Sequence, residues 1–218
     1  MRTYTIEPFQ TLDEHTQEEI EHFTKLIAFK KGETLFSHDD LTQYFYVVQK
    51  GKIKSYQLNL ENSKEQTIFV FRAGDMFDTI TLLDGKVHEV MYEAMEDCSV
   101  YQMPINDVRH MIETNPEFNK KFFPYLAKQM RHMEELVTDI SLYSTEERFI
   151  KLLLQNLDPQ NIFRYKLLQG LSNTEIAKLM GTVRHVIERH LKKLKNDGLI
   201  ESKSKTLQMA NGHKLLDK

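Results

Sequence analysis

The segment GTVRHVIERHLKKL, Gly181–Leu194, sets Arg184, His185, Glu188, Arg189 and Lys192 among apolar residues at Val183, Ile187, Leu191 and Leu194. At about 100° per residue the apolar four share one face, which predicts a helix glued by that face to a neighbour. His185, Arg189 and Lys192 fall opposite, with Arg184 and Glu188 on the flank. These side chains suit nucleic acid. An arginine fork can bond two guanine acceptors at once, and Lys192, Lys193 and Lys195 suit phosphate. His185 donates to guanine or accepts from a base amine, according to its tautomer. Glu188 has two available roles: it can accept from a cytosine amine, or pair with Arg184 or Lys192 four residues away. Metal is a poor fit, because His185 and His190 lie about 140° apart on a helix and cannot share an ion. His190 is expected at the edge of the helix interface.

Charge supports the same direction once it is split. The chain has 218 residues and a net charge of −3. Residues 172–205 carry eight Lys/Arg against four Asp/Glu, and the remainder 21 against 28. A basic module and a larger acidic body are predicted, the first to meet a polyanion. No apolar run approaches the roughly 20 residues of a membrane span. The N-terminus is too polar for a signal peptide, so a cytoplasmic protein with no membrane partner is expected. A single cysteine, Cys98, excludes a disulfide framework and an iron–sulfur cluster held by this chain alone. It reads as a buried structural residue, with oxidation sensing as the alternative. The sequence has no G-x-S-x-G, H-E-x-x-H or P-loop glycine pattern, and an enzyme is not expected.

The elements that must hold the basic helix can be read in order. Residues 30–103 alternate β-branched or aromatic runs with turn residues, predicting an antiparallel roll or sandwich. TLDEHTQEEIEHFTKLIAF ahead of it reads as one amphipathic helix. A long helix is expected from Pro116, with apolar spacings of four and three through Phe122, Leu126, Met133, Leu136, Ile140 and Tyr143, interrupted by Gln129. That is a coiled-coil seam and predicts a homodimer. The alternative is a helix packed on its own β-domain, and Met130 and Val137 widen the stripe enough for both. Ser144 and Glu147 form a capping-box pattern, which places a hinge at Tyr143-Ser144. LSNTEIAKLMG predicts a short helix with Ile176, Ala177 and Met180 inward and a turn at Gly181. Two short strands around Lys203-Ser204-Lys205 complete a winged helix-turn-helix. The expected class is α+β: an effector-sensing roll at 1–115, a dimerisation helix at 116–143 and a DNA-binding domain at 144–218.

In this order of parts, and in GDMF at Gly74–Phe77 and LSNTEIAKLMGTVRHVIERHLKKLKNDGLI at Leu171–Ile200, the chain resembles the cyclic AMP receptor protein/FNR family of bacterial transcription regulators. The resemblance implies a homodimer on double-stranded DNA, with RNA polymerase as a further partner. Arg184 and Arg189 fall on the family's two reading arginines, and Lys203 and Lys205 on its wing. His185 replaces the family's glutamate, the side chain that accepts from cytosine, and Glu188 stands where a small residue is usual. Val183 sits where a serine often caps the helix, leaving Thr182 as the nearest substitute. In the family's effector cassette, Gly-Glu is followed about ten residues later by Arg-Ser. The matching positions here are Asp78-Thr79 and His88-Glu89. They lack the ribose carboxylate and the phosphate arginine, so neither cyclic AMP nor cyclic GMP is the expected effector. A haem is the alternative, with His88 as one ligand and Met91, Met95 or another histidine opposite. From another class, a ligand-binding module acting on a protein partner remains.

Overall fold

The computed structural model describes Phe9, residues 12–158, 161–165, Leu168, and residues 170–203 and 206–209. They form two compact units, one of residues up to 63 with 67–132, the other of 64–66 with residues from 133 onward.

The first unit opens with α1 (Glu14–Phe23), capped by the Asp13 carboxylate, which accepts from the Thr16 amide at 3.0 Å. The single helix expected here is shorter than its sequence suggests. Thr24 is extended, and Lys25–Phe29 form β1, paired antiparallel with β8 (Cys98–Pro104) from Lys25↔Gln102 to Phe29↔Cys98. A run such as KLIAF has no helical commitment of its own, and a waiting strand edge decides it.

Two four-stranded antiparallel sheets follow. One has the order β1-β8-β3-β6, with β3 at Tyr44–Lys50 and β6 at Met76–Phe77. The other has the order β2-β7-β4-β5, with β2 at Thr34–Leu35, β7 at Met91–Ala94, β4 at Lys52–Asn59 and β5 at Lys64–Arg72. Two short helices that the strand pattern did not announce interrupt them, α2 (His38–Gln43) and α3 (Thr79–Asp84).

The two-residue period of β3 divides its side chains between two cores. Phe45 and Val47 join Ile20, Tyr101, Met103, Phe118 and Phe122 beneath the helices. Tyr46 and Val48 join Leu35, Ile53, Phe71, Phe77 and Tyr92 between the sheets. Gly51 links β3 to β4 at φ 90°, where an added Cβ would lie 2.6 Å from the Cβ of Cys98. Cys98 itself is buried, and burial pushes its thiol up to about 11, so the thiolate is scarce at neutral pH.

Helix α4 (Ile105–Thr114) leads into α5 (Pro116–Leu142). The second unit contains α6 (Thr145–Gln155), the strands β9 (Leu157–Asp158) and β10 (Asn161–Tyr165), α7 (Asn173–Met180), α8 (Arg184–Asn196), and the antiparallel pair β11 (Ile200–Lys203) and β12 (Thr206–Met209). Ser144 and Glu147 make the reciprocal capping box of α6. Lys151 donates to Asp139 at 2.7 Å, tying α6 to the end of α5. The core of this unit gathers Phe149, Leu153, Leu168, Ile176, Ala177, Met180, Ile187, Leu191, Leu194, Leu199 and Ile200. No helix among the described residues is long and apolar enough to cross a membrane.

Candidate nucleic-acid interface

Helix α7 also starts under a reciprocal box, Ser172 with Glu175, and buries Ile176, Ala177 and Met180 as expected. Gly181 ends it at φ 65°, a left-handed conformation that glycine adopts without steric cost. The Thr182 amide then donates to the Ala177 carbonyl at 2.9 Å, which closes the turn. The chain re-enters a helix two residues later.

Ile187, His190, Leu191 and Leu194 are the buried side of α8. Val183 departs from the expected stripe: it is half-exposed, at 50%. It is the N-cap, with φ −114° and ψ 154°, so helical phase does not apply to it, and no side chain caps the helix there. His190 goes further inward than the interface edge. Its ring lies 6.1 Å from that of Phe149 and its Nε2 3.2 Å from Thr145 Oγ1, and burial holds its pKa below the ordinary value.

Arg184, His185, Glu188, Arg189 and Lys192 are all exposed. Among them Arg184 donates from Nε to Glu188 Oε1 at 2.6 Å, and this bond, with the adjacent charge, holds the Glu188 carboxyl below its usual range. His185, Arg189 and Lys192 occupy the side opposite the buried stripe. Lys193 is drawn away from that side by Glu146 on α6, 2.6 Å from its Nζ. The backbone of Lys203 ends β11, facing Thr206 of β12. The side chain of Lys203, and Lys205 altogether, lie outside the described residues.

The expected seam on α5 is placed unevenly. Phe122 is fully buried in its own chain's core, stacked 5.5 Å from Phe118, and has no surface to offer a partner. Leu126 packs partly against the same core. Gln129 donates to the Tyr125 hydroxyl at 2.7 Å. Met133, Ile140 and Tyr143 are exposed and Leu136 is half-buried. The exposed apolar set also includes Phe123, Met130 and Val137. Phe123, Leu126, Met130, Met133, Val137 and Ile140 alternate three and four apart, which is itself a heptad pattern. That exposed row differs from the expected seam at Phe122, Gln129 and Leu136, of which Phe122 is taken up by its own chain's core.

Of the effector cassette, the structure brings together Asp78 and His88, with Nδ1 of His88 3.0 Å from Asp78 Oδ1. Asp78 is buried, at φ 57°, and immediately precedes α3. Thr79 is half-buried in the first turn of α3, and Glu89 is exposed. Aromatic rings fill the adjoining roll interior: Phe36 stacks on Tyr46 at 3.8 Å, and Tyr46 on Phe77 at 5.4 Å.

Residues 26–115 match the cyclic nucleotide-binding domain, and residues 147–217 match the Crp-like helix-turn-helix domain. The chain belongs to the cyclic AMP receptor protein/FNR family of DNA-binding transcription regulators. Electron transport regulator A of Shewanella oneidensis is 25% identical over 191 residues, covering 85% of this chain and 75% of that protein. The Cyclic AMP receptor protein of Thermus thermophilus is 26% identical over 179 residues, covering 79% and 77%. Among solved structures, a CooA variant from Carboxydothermus hydrogenoformans superposes with a TM-score of 0.76 at 21% identity, covering 91% of this chain and 89% of that one. That likeness shows the fold, an antiparallel β-roll followed by a long helix and a winged helix-turn-helix. The family is one of transcription regulators rather than enzymes.

Proposed function

We propose that this regulator binds a pseudo-palindromic DNA site as a homodimer, with α8 of each protomer in successive major grooves. The carrying observation is the division of α8 into a buried apolar side and an exposed side bearing His185, Arg189 and Lys192, flanked by Arg184 and Glu188. Arg184 and Arg189 reach base edges, Lys192 meets phosphate, and Lys203 and Lys205 of the wing meet the backbone beside it. The exposed heptad row of α5 supports the pairing of two chains. Residues 1–115 then serve as the regulatory roll, 116–143 as the dimerisation helix and 144–218 as the DNA-binding domain. The protein works in the cytoplasm, with RNA polymerase as its downstream partner.

The roll does not take a cyclic nucleotide in this account. A buried carboxylate, Asp78, stands where the family carries glycine, and it holds His88 where the family carries a phosphate-binding arginine. Fluorescence anisotropy on DNA at rising salt, repeated with cyclic AMP and cyclic GMP, tests both parts. Sequence-dependent binding that weakens with salt and ignores both nucleotides is expected. Micromolar cyclic AMP that raises DNA affinity would overturn the second part. Binding to DNA that does not fall with salt would favour a protein partner instead. For the haem alternative, the observable is a Soret band after reconstitution that disappears in His88→Ala.

A further inference from the structure

Arg184 occupies the first helical position of α8, where the helix dipole disfavours a cation. The dipole therefore gives no reason for an arginine there, and its pair with Glu188 four residues on adds only weakly to the helix. One turn later Glu188 receives the Arg184 Nε–H at 2.6 Å. That bond makes the carboxylate a post for the guanidinium.

The chemistry of the guanidinium says what such a post does. Arginine has five N–H donors in a rigid plane. With the Nε–H given to Glu188, the terminal edge keeps two parallel N–H groups, the pair that matches O6 and N7 of guanine. A long side chain fixed in one rotamer approaches that edge already oriented, and the carboxylate, neutralised by its partner, does not meet phosphate as a bare charge. Both residues remain accessible, their side chains 68% and 43% exposed.

We infer that Glu188 is a positioning residue: through its bond to Nε it fixes the Arg184 guanidinium so that its free edge reads one guanine in each half-site. The inference rests on the DNA-binding role proposed above and adds the identity of a specificity determinant. It also removes Glu188 from the role of cytosine acceptor.

Equilibrium competition on duplexes carrying each of the four bases at each half-site position tests it with the full-length protein. The variants are Arg184→Ala, Glu188→Ala, Glu188→Gln and the double alanine. Arg184→Ala abolishes a guanine preference at one position. Glu188→Ala lowers the preference at that same position about tenfold, within the range of one bidentate base contact, and leaves the other positions unchanged. Glu188→Gln, which retains an acceptor for the Nε–H, keeps most of it, and the double variant matches Arg184→Ala. Relaxed cytosine preference at another position in Glu188→Ala would overturn the inference, as would additive effects in the double variant. If the wild-type protein distinguishes no sequence at all, the DNA-reading role itself fails, a separate result from the loss of the Glu188 effect alone.

Discussion

The Tyr125 hydroxyl donates to the Met76 carbonyl at 2.5 Å and accepts from the Met76 amide at 2.9 Å. One phenol on α5 thereby satisfies both backbone groups of a buried strand residue, two positions before Asp78. Its burial raises the phenol well above its ordinary pKa, so it stays protonated and can donate. Tyr125→Phe leaves two buried polar groups without this partner. A loss of about 2–4 kcal/mol is expected in urea unfolding, with faster exchange of the Met76 amide. An unchanged midpoint would contradict the assignment.

Acid should loosen the second unit through His190. Its folded pKa is depressed first by burial, with Arg189 and Lys193 adding repulsion and Glu146 opposing them. The unfolded chain takes up the proton at the ordinary value, about 6.5, before the folded chain does. Stability therefore rises with pH between the depressed value and 6.5, and is lost as pH falls through that window. His190→Gln should flatten this part of the pH–stability curve. Parallel curves for the two proteins would exclude His190 as the cause.

The start of α8 can be improved. Val183 offers no side-chain acceptor, whereas Ser144 and Ser172 cap α6 and α7. Val183→Ser should stabilise the domain by about 1 kcal/mol, read as a higher thermal midpoint. Gly181→Ala, at φ 65°, should cost about 1–2 kcal/mol.

Two substitutions on α5 should separate fold from assembly. Ile140→Glu should reduce dimerisation and DNA binding together, with little effect on unfolding of the first unit. Phe122→Ala should destabilise that unit by about 3–5 kcal/mol. Sedimentation and denaturant titration distinguish the two outcomes, and a dimer untouched by Ile140→Glu would place the interface elsewhere.

What could be read in the sequence depended on whether local pattern or distant packing decides. The α7–turn–α8 segment was legible because its serine box, Gly181 and apolar period act over a few residues. Val183 was misplaced because a cap residue leaves the helical phase. The end of α1 at Phe23 depends on β8, some seventy residues away, which no local period contains. The place of Phe123 in the exposed row was hidden for a similar reason. Phe122 and Phe123 look alike in sequence, and only the packed core shows which is inside. The Asp78–His88 contact needed the fold, since the nine residues of intervening chain carry no sign of it.

Selection of sites from random duplex DNA by the full-length protein tests the central claim most directly. An enriched pseudo-palindrome is expected, with half-site centres roughly 10–10.5 base pairs apart and two chains bound per duplex. Enrichment of no motif, or a single chain on an asymmetric site, would contradict the account.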